Sequence, residues 1–538
     1  NAGVDNQDGD ESTSVNPFSR MGYQQLKPLS GGDPSFIYIG EYSTRWWKNR
    51  NRNSNVQLNY VKALGKFNLD LLGGYEYQQF DRSDYNSRNT FIVGKYETDQ
   101  VPDVYTDAGN NLQAFLGRAN IGFNDKYLLT LNFRRDGSSK VSPVNKWANF
   151  MGAALAWKIK DEKFLKDVKW LSDLKLRVSY GQNGNQDARY GQLPWLKTYH
   201  VSDNVFYQLG NEYILVARPN GYNPGLKWER STKNNVGVDF AFLNNRLRGS
   251  LDGYYSKTTD MYSVVNQGAL QNLSILGPGN VGSMTSKGVD VGLNYDAVQK
   301  ENFNLNLNYN VTYNKIELTD LYTNGLDQGG IGLGGFVQTH RIGLAPFSYW
   351  VYQQVYDEAG RPINGAYVDR NGDGKIDTED KYNYKKPNAD VTMGFMTNAT
   401  IYKKWDVSMA WRASFGNYVY DRISSDRAFL DGGINNRVDN TLNNTTKDYN
   451  STQFFSRDAD SDYYVKDGSF LKLDNITVGY KFTNLVNEKT SMRVYLGVQN
   501  ALIITKYKNM DPEVFDNGMD NSIFPRARMF MLGVNTNF

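Results

Sequence analysis

The sequence predicts an all-β fold, a transmembrane antiparallel β-barrel with long extracellular loops and short periplasmic turns. Three features lead to this prediction: strand-length segments in which apolar and polar residues alternate, connections that are short and long in turn, and an aromatic last residue, Phe538. Because successive side chains of a strand point to opposite faces, each segment has one apolar and one polar face. A soluble β fold shows the same alternation, so the connections decide between the two.

The composition excludes several other classes of protein. The 538 residues carry 60 basic and 57 acidic side chains, and this net charge of +3 does not indicate nucleic-acid binding. Cysteine is absent, so there is no disulfide framework and no thiolate metal site. The mean hydropathy is −0.61, and no apolar run reaches the roughly eighteen residues of a membrane-spanning helix. A barrel remains possible because only every second residue has to face lipid.

Alternating segments follow one another from Ser54 to the end of the chain. There are fifteen of them, and the last three are the most regular, with Ile476, Val478, Tyr480 and Phe482 on one face of the first. In chain order, the apolar faces cover 56–60, 67–77, 121–123, 127–133, 151–159, 174–180, 236–242, 247–255, 289–295, 303–313, 391–401, 405–415, 476–482, 492–498 and 530–538.

The connections between these segments are alternately short and long, without exception. Outer-membrane barrels have short periplasmic turns and long extracellular loops, so the alternation gives each strand a direction. The predicted periplasmic turns are 64–65, 124–125, 160–173, 243–245, 297–302, 402–404 and 483–491. The predicted extracellular loops are 81–112, 137–146, 183–227, 262–282, 317–390, 416–468 and 504–526.

Fifteen is an odd number of strands, whereas single-chain bacterial barrels have even numbers. The polar segment 1–53 is expected to be an extracellular loop, and 54–538 the C-terminal part of the barrel. An open sheet would leave unpaired backbone groups in hydrocarbon. We therefore expect that 54–538 does not close on itself and that the plug and the early strands lie outside this chain.

Seven strings of the chain resemble one known family, the SusC/RagA-like TonB-dependent outer-membrane transporters. The likeness runs in family order from about Ser54 to the end. The strings are YLLTLNFRRDGSSK (127–140), LKLRVSYGQNGNQ (174–186), LKWERSTKNNVGVDF (226–240), GSMTSKGVDVGLNY (282–295), VKDGSFLKLDNITVGY (465–480), RVYLGVQNALIITKYKNMDPEV (493–514) and FPRARMFMLGVNTNF (524–538).

The resemblance implies a function and partners. It implies a barrel of about 22 strands with a plugged lumen, in the outer membrane of a Gram-negative bacterium. It further implies TonB-dependent import of oligosaccharides or peptides with a SusD-like surface lipoprotein as lid. No TonB box or plug is found in this sequence, so contact with TonB would pass through the portion outside the chain. The choice between glycan and peptide stays open.

The segment DRNGDGKIDTED (369–380) has the oxygen spacing of a Ca²⁺ loop. The expected ligands are Asp369, Asn371, Asp373, the Lys375 carbonyl, Asp377 and Asp380, at loop positions 1, 3, 5, 7, 9 and 12. An aspartate replaces the usual glutamate at position 12, and an Asx-rich turn without metal is the alternative. We expect structural Ca²⁺ in an outer loop.

Substrate contacts are expected from aromatic residues of the long loops, because aromatic rings stack on sugars. The candidates are Tyr190, Trp195, Tyr222, Tyr349, Trp350 and Tyr420. The alternative is that these rings pack the loops or contact the lipoprotein lid.

No arrangement of residues indicates an enzyme. The chain contains only two histidines, His200 and His340, and no nucleophile, Walker or zinc motif. Asp458, Asp460 and Asp462 are closely spaced but are expected to be solvated loop residues.

Two other functions are compatible with the pattern. A passive porin of sixteen strands would result if the segment from Phe36 to Tyr42 supplied one more strand. The other is a soluble β-rich surface adhesin. It would not need detergent to stay in solution, which distinguishes it from the transporter and from the porin.

Overall fold

The computed structural model describes residues 2–15, 23–25, 36–92, 95–187, 193–210, 212–266, 276–321, 331–333, 337–429, 446–457, 460–483, 490–514, 517–521 and 524–537. Phe538 lies outside these residues. No helix in the described ranges is both long and apolar enough to cross a membrane.

One large antiparallel sheet dominates the molecule. In the ladder, each long strand pairs with the one before it and the one after it in the chain. The sixteen strands are β1 (Ala2–Val15), β2 (Phe36–Leu64), β3 (Phe67–Ile92), β4 (Lys95–Phe123), β5 (Tyr127–Ser138), β6 (Trp147–Lys158), β7 (Leu171–Asn185), β8 (Glu229–Phe242), β9 (Leu247–Thr259), β10 (Gly282–Lys300), β11 (Phe303–Leu321), β12 (Val391–Ile401), β13 (Trp405–Phe415), β14 (Phe470–Thr483), β15 (Ser491–Thr505) and β16 (Met529–Asn537). The last fifteen correspond to the fifteen predicted strands, so the predicted barrel fold is confirmed.

Short elements occupy the connections that were predicted to be long. The strands are Tyr23–Gln25, Tyr199–Leu209, Glu212–Pro219, Tyr262–Asn266, Leu276–Asn280, Ile331–Leu333, Gln338–His340, Ser348–Val351, Gln354–Tyr356, Pro362–Tyr367, Tyr382–Asn383, Tyr418–Tyr420 and Val465–Asp467. The α-helices are α1 (Arg422–Arg427) and α2 (Tyr449–Thr452), and 3-10 turns cover Pro143–Asn145, Thr378–Asp380 and Asp462–Tyr464. A further 3-10 turn, Ile159–Asp161, lies at the connection 160–173, which was predicted to be a periplasmic turn.

The short turns have the backbone geometry that tight hairpins require. Asn124 and Asp125 both have positive φ, 52° and 56°, which matches the twist of the flanking strands and which Asn and Asp tolerate. The Asp125 carboxylate accepts a hydrogen bond of 2.7 Å from the Asn68 side chain of the neighbouring hairpin. This contact links two adjacent turns at the end of the sheet that was predicted to be periplasmic.

The outward face of the sheet is apolar and exposed. Leu58 is 78% exposed and Leu532 75%, although both lie within regular strands of the large sheet. A soluble sandwich would bury such side chains, whereas the outer face of a membrane barrel presents them to lipid. Further members of this face are Val56, Leu131, Met151, Leu155, Val178, Val236, Leu251, Val289, Leu496 and Val534.

Two segments that were predicted to be loops are strands. Segment 1–53 contains β1 and most of β2, whose ladder joins Ala2 to Ser54 and Val15 to Glu41. Segment 81–112 continues the hairpin of β3 and β4, for example with Tyr85 opposite Tyr105. These residues are polar on both faces, which suggested loops. A hairpin that extends beyond the membrane has water on both sides and needs no apolar face.

The ladder has two edges within the described residues. β16 pairs only with β15, and the part of β2 after Ser54 pairs only with β3. The segment from Phe36 to Tyr42 belongs to β2 and is not an additional strand, so it does not complete a sixteen-strand porin. Unpaired backbone groups cost several kcal/mol each in hydrocarbon, and closure of the ring by further strands stays a prediction.

We expect the outward face to reject charge and the inward face to accept it. Leu251→Arg places a cation on the outward face in the middle of β9 and should destabilise the barrel by about 2–4 kcal/mol. Ser250→Arg is the matched control, because residue 250 points inward and lies opposite Asp239 on β8. Equilibrium urea unfolding in phospholipid vesicles measures both, and equal losses of stability would contradict this assignment of faces.

Candidate functional site

The inward wall of the sheet carries a network of amide side chains. The Asn308 side chain donates to Asn306 over 2.6 Å, and Asn306 donates to Asp296 over 2.8 Å. Asn294 donates to Asn308 and accepts from Arg248 over 2.8 Å. Such a row of donors and acceptors suits a wetted wall.

Charged side chains of the wall are paired across strands. Arg177 donates to Asp239 over 2.7 and 2.9 Å and to Asp252 over 3.0 Å. A Cβ at Gly237 would lie 2.2 Å from an Asp252 oxygen and 2.9 Å from an Arg177 nitrogen. The glycine therefore provides the space in which the arginine fork lies flat against the sheet.

The same arrangement occurs on the other side of the described sheet. Arg493 donates to Asp406 through Nε over 2.8 Å and through Nη2, and a Cβ at Gly479 would meet both side chains within 2.7 Å. Other inward pairs are Arg134–Glu76, Arg118–Asp70 and Arg248–Asp296. The wall is strongly polar, yet these charges occur in pairs of opposite sign.

A cluster of six charges joins the wall to the loop at 504–526. The buried Lys472 amine on β14 contacts Asp511 at 2.8 Å and Glu513 at 2.9 Å. Arg412 on β13 contacts Glu513 at 2.7 Å and also pairs with Asp474. Arg526 completes the cluster with contacts of 2.8 Å to Glu513 and 3.1 Å to Asp511. Three cations face three anions.

Glu513 is the centre of these six charges, which we call the rim cluster. Burial opposes its ionisation, but hydrogen bonds and charges from Arg412 and Lys472 outweigh it and lower its pKa from 4.5 to about 2. Because the pKa is lowered on folding, the contribution of Glu513 to stability is fully present above pH 4.5. It is lost as the pH falls toward 2.

Three long loops share a hydrophobic core above the wall. The Tyr349 hydroxyl donates to the carbonyl oxygens of Tyr418 and Gly518, both over 2.9 Å. The loops at 317–390, 416–468 and 504–526 thereby form one folded assembly rather than separate loops. Its buried core consists of Val337, Tyr349, Val351, Tyr420, Phe454, Tyr464, Val465 and Met519.

A second, smaller core holds the loops at 137–146 and 183–227 together. Trp228, from one of the resemblance strings, packs on Phe150 with its ring centroid 5.7 Å away and donates to the Lys146 carbonyl over 3.0 Å. Trp195 donates to the Ser139 carbonyl over 2.8 Å.

The six aromatic residues that were predicted to contact substrate differ in their surroundings. Tyr349 and Tyr420 are 0% and 2% exposed and belong to the core of the loop assembly, so neither offers a ring face to a sugar. Trp350 and Trp195 are half-buried, with the Lys381 amine 5.2 Å from the Trp350 ring centroid. Tyr222 is half-buried and belongs to the same loop, 183–227, as Trp195. Tyr190 lies outside the described residues.

Two acidic residues that were predicted to be solvated are structural. Asp460 accepts from Lys381 over 2.6 Å, and Asp462 accepts from the Tyr382 hydroxyl over 2.7 Å. The prediction failed because the two long loops pack against each other, which their sequences do not reveal. Asp458 lies outside the described residues.

One of the two histidines, His340, lies against an aromatic ring. His340 packs edge-on against Phe347 at 4.6 Å, and burial lowers its pKa. The His200 side chain lies outside the described part of the chain.

The segment 369–380 folds as a loop held by its own carboxylates. Asp369 accepts from the N–H groups of Gly372 and Gly374, at 2.6 and 2.8 Å. Both glycines have left-handed φ, 76° and 78°. The fully buried Asp380 accepts from the N–H groups of Arg370 and Asp377, at 2.8 and 2.9 Å. The Asp377 hydrogen bond is the largest of those that lower the pKa of Asp380.

These hydrogen bonds bear on the predicted metal ligands. Asn371, Asp373 and Asp377 each accept one N–H within the loop, at 2.8 to 3.0 Å. Nowhere in the described ranges do three His, Cys, Asp or Glu side chains converge as a metal site would require. The donor types suit Ca²⁺, but as folded here they are directed at the backbone.

The rim cluster was not predicted from the sequence. Its only sequence signal is charge at inward positions near the upper strand ends, as at Arg412 and Lys472, followed by the acidic pair Asp511 and Glu513.

The chain is similar to several known proteins. A family model described as TonB dependent receptor-like, beta-barrel, matches residues 3–501. TonB-dependent receptor SusC of Bacteroides thetaiotaomicron is 38% identical over 95% of this chain and 52% of that protein. TonB-dependent receptor P3 of Formosa agariphila is 29% identical over 94% of the chain and 53% of its own length. The chain therefore spans about half the length of these curated relatives.

A solved structure shows the same fold. The RagAB peptide transporter aligns with a TM-score of 0.80 at 22% identity, over 100% of this chain and 59% of that chain.

We expect Lys472→Met to release the loop at 504–526 from the wall. Removing one partner of a buried ion pair costs about 3–5 kcal/mol, so amide hydrogen exchange across 504–514 should accelerate. The matched control is Lys403→Met, which removes an exposed pair with Glu301 at 3.0 Å and should cost no more than about 1 kcal/mol. Unchanged exchange in Lys472→Met would show that the cluster does not hold the loop.

Proposed function

Since the chain belongs to the TonB-dependent receptors with a SusC/RagA-like β-barrel, we propose that it provides most of the barrel wall of an outer-membrane importer. The import would be TonB-dependent, and the substrates would be oligosaccharides or peptides. The family is one of transporters, and the barrel is an outer-membrane protein.

One observation carries the proposal. The wall is apolar outside and polar with paired charges inside, along nearly all of the residues that match the family model. Inward charges that are paired with charges of opposite sign suit neutral, hydrated solutes better than ions of one sign. Arginine–carboxylate pairs and asparagine amides also suit reversible contact with a plug, because they can exchange partners with water. These features support import through a plugged barrel.

A SusD-like lipoprotein is the proposed partner at the extracellular surface. The loop assembly supports this proposal because the loops at 317–390, 416–468 and 504–526 fold on a common core and present a preformed surface. A rigid surface favours a stable complex with a lid, since little conformational entropy is lost on binding. RagAB is described as a peptide transporter and SusC as a TonB-dependent receptor. The choice between glycan and peptide depends on the uptake experiment below.

We also propose that the loop at 369–380 takes up structural Ca²⁺. The spacing of oxygen donors and the left-handed glycine at position 6 of the loop support the proposal. Asp369, Asn371, Asp373, the Lys375 carbonyl, Asp377 and Asp380 would hold the ion. The hydrogen bonds of the carboxylates to backbone N–H groups support the metal-free alternative equally.

Uptake should depend on energy from TonB. In cells that express the transporter, deletion of tonB should abolish uptake of a labelled oligosaccharide or peptide while the barrel stays in the membrane. Deletion of the partner lipoprotein should lower uptake strongly. A panel of neutral glycans and mixed oligopeptides identifies the substrate class. Undiminished uptake without TonB would support the passive porin instead.

Calcium should protect the loop at 357–390 from proteolysis. In the wild type, we expect slower cleavage of this loop with Ca²⁺ than with EGTA. Asp373→Ala combined with Asp377→Ala should remove the difference and leave the barrel folded. Glu379→Ala, which changes an acid at a position without a ligand role, is the control. Equal cleavage of the wild type in Ca²⁺ and EGTA would establish the metal-free turn.

A further inference from the structure

An apolar groove lies on the outward face of the sheet, below the long-loop end. It has a volume of about 750 Å³ and crosses strands β5 to β11. Its walls include Leu155, Val178, Val236, Val289 and Tyr313, all on the lipid-facing side of their strands. The groove exists because the outward position between these side chains is a glycine, Gly253, whose Cβ position has no atom within 4 Å.

The upper end of the groove is basic. Tyr255 pairs with Lys287 across β9 and β10, and Lys287 pairs with Lys315 across β10 and β11. Because paired residues share a face, both lysines point outward beside the tyrosine, and both side chains are exposed. Lys257 lies on the same face, two residues beyond Tyr255.

Among the described residues, one acid forms an ion pair with these three lysines. In the described part of the chain, Lys315 pairs with Glu317, while no ion pair joins Lys257 or Lys287 to an acid. Three cations against one anion thus lie at the top of an otherwise apolar face. Lysine on the lipid-facing side of a barrel is costly at the bilayer midplane and tolerated near the interfaces, so these lysines favour a position beside polar head groups.

The depth of the lysines corresponds to the head groups of the outer leaflet. Lys287 and Tyr295 lie on one strand, eight residues apart, which is about 26 Å along the strand. With strands tilted by about 35–45°, this is roughly 20 Å along the membrane normal, against an apolar band of about 25 Å. The lysine stems can extend upward from this border and place their ammonium groups among phosphates.

We propose that this groove is a binding site for a phosphorylated, acylated lipid of the outer leaflet. An acyl chain would lie over Gly253 between Tyr255 and Tyr313, and a phosphate would accept charge-assisted hydrogen bonds from Lys287 and Lys315. A second copy of the chain is a poorer occupant, because a two-fold contact would bring the same lysines of both copies together.

A second groove on the same face supplies the matched control. It has a volume of about 540 Å³, lies over Gly73 between Leu58, Leu71 and Phe133, and also has no atom within 4 Å of the glycine Cβ position. Arg118, the basic residue of its lining, alternates with Gly117 and Ala119 and belongs to the inward face. This groove therefore has the shape of a lipid site without lysines.

The experiment measures lipid binding by the purified transporter in detergent, using native mass spectrometry and titration with diphosphorylated lipid A. Wild-type protein should retain the lipid. Lys287→Gln combined with Lys315→Gln should lower the apparent affinity on the order of tenfold or more. Gly253→Phe should abolish binding at this site by filling the groove.

Gly73→Phe and Lys403→Gln should bind as the wild type does, and dephosphorylated lipid A should bind as weakly as the double lysine variant. Heat-modifiable migration on gels verifies that each variant is folded. Equal retention by the wild type and the lysine variant, or equal binding of dephosphorylated lipid, would overturn the proposal. So would a Gly253→Phe variant that converts a dimer into monomers without losing lipid.

Discussion

Backbone hydrogen bonding in hydrocarbon is the constraint on which the rest of this structure depends. Lipid offers no partner for an N–H or C=O group, so the membrane-embedded part of the chain has to be a continuous ladder. In such a ladder, side chains alternate in direction with a period of two residues. Every strand therefore has one row of side chains that faces lipid and one row that faces the lumen. The narrow grooves over Gly73 and Gly253 and the arginine forks over Gly237 and Gly479 are consequences of the same sheet. On either face, a missing Cβ creates space that the neighbours or a ligand can use.

The same constraint explains which features could be predicted from sequence. The fifteen strands from Val56 onward were predictable because their lipid-facing row has to be apolar. The turn at Asn124 and Asp125 was predictable because those residue types tolerate positive φ. Above the membrane the constraint no longer applies. The strand Ala2–Val15 and the strand segments within 81–112 were predicted to be loops because they are polar, and water can satisfy either face of a hairpin there.

The candidate site was less predictable, because it depends on contacts between distant segments. Tyr349 and Tyr420 are aromatic loop residues by sequence, but their rings are 6.5 Å apart in a core formed by three loops. Asp462 is one of a run of acids, yet it accepts a hydrogen bond from Tyr382, 80 residues earlier. No local pattern distinguishes such residues from solvated ones, since the information lies in how the loops pack.

The rim cluster shows how the two regions are joined. Lys472 and Arg412 are inward residues of membrane strands, whereas Asp511 and Glu513 belong to a loop. A partly buried cluster with equal numbers of charges costs desolvation energy, and its net contribution to stability is small compared with an apolar core of the same volume. Its effect lies in geometry, because each carboxylate has its partners only when the loop lies in one position on the wall. The strands therefore determine where the loop assembly is located, although the loops themselves contain the core that keeps it folded.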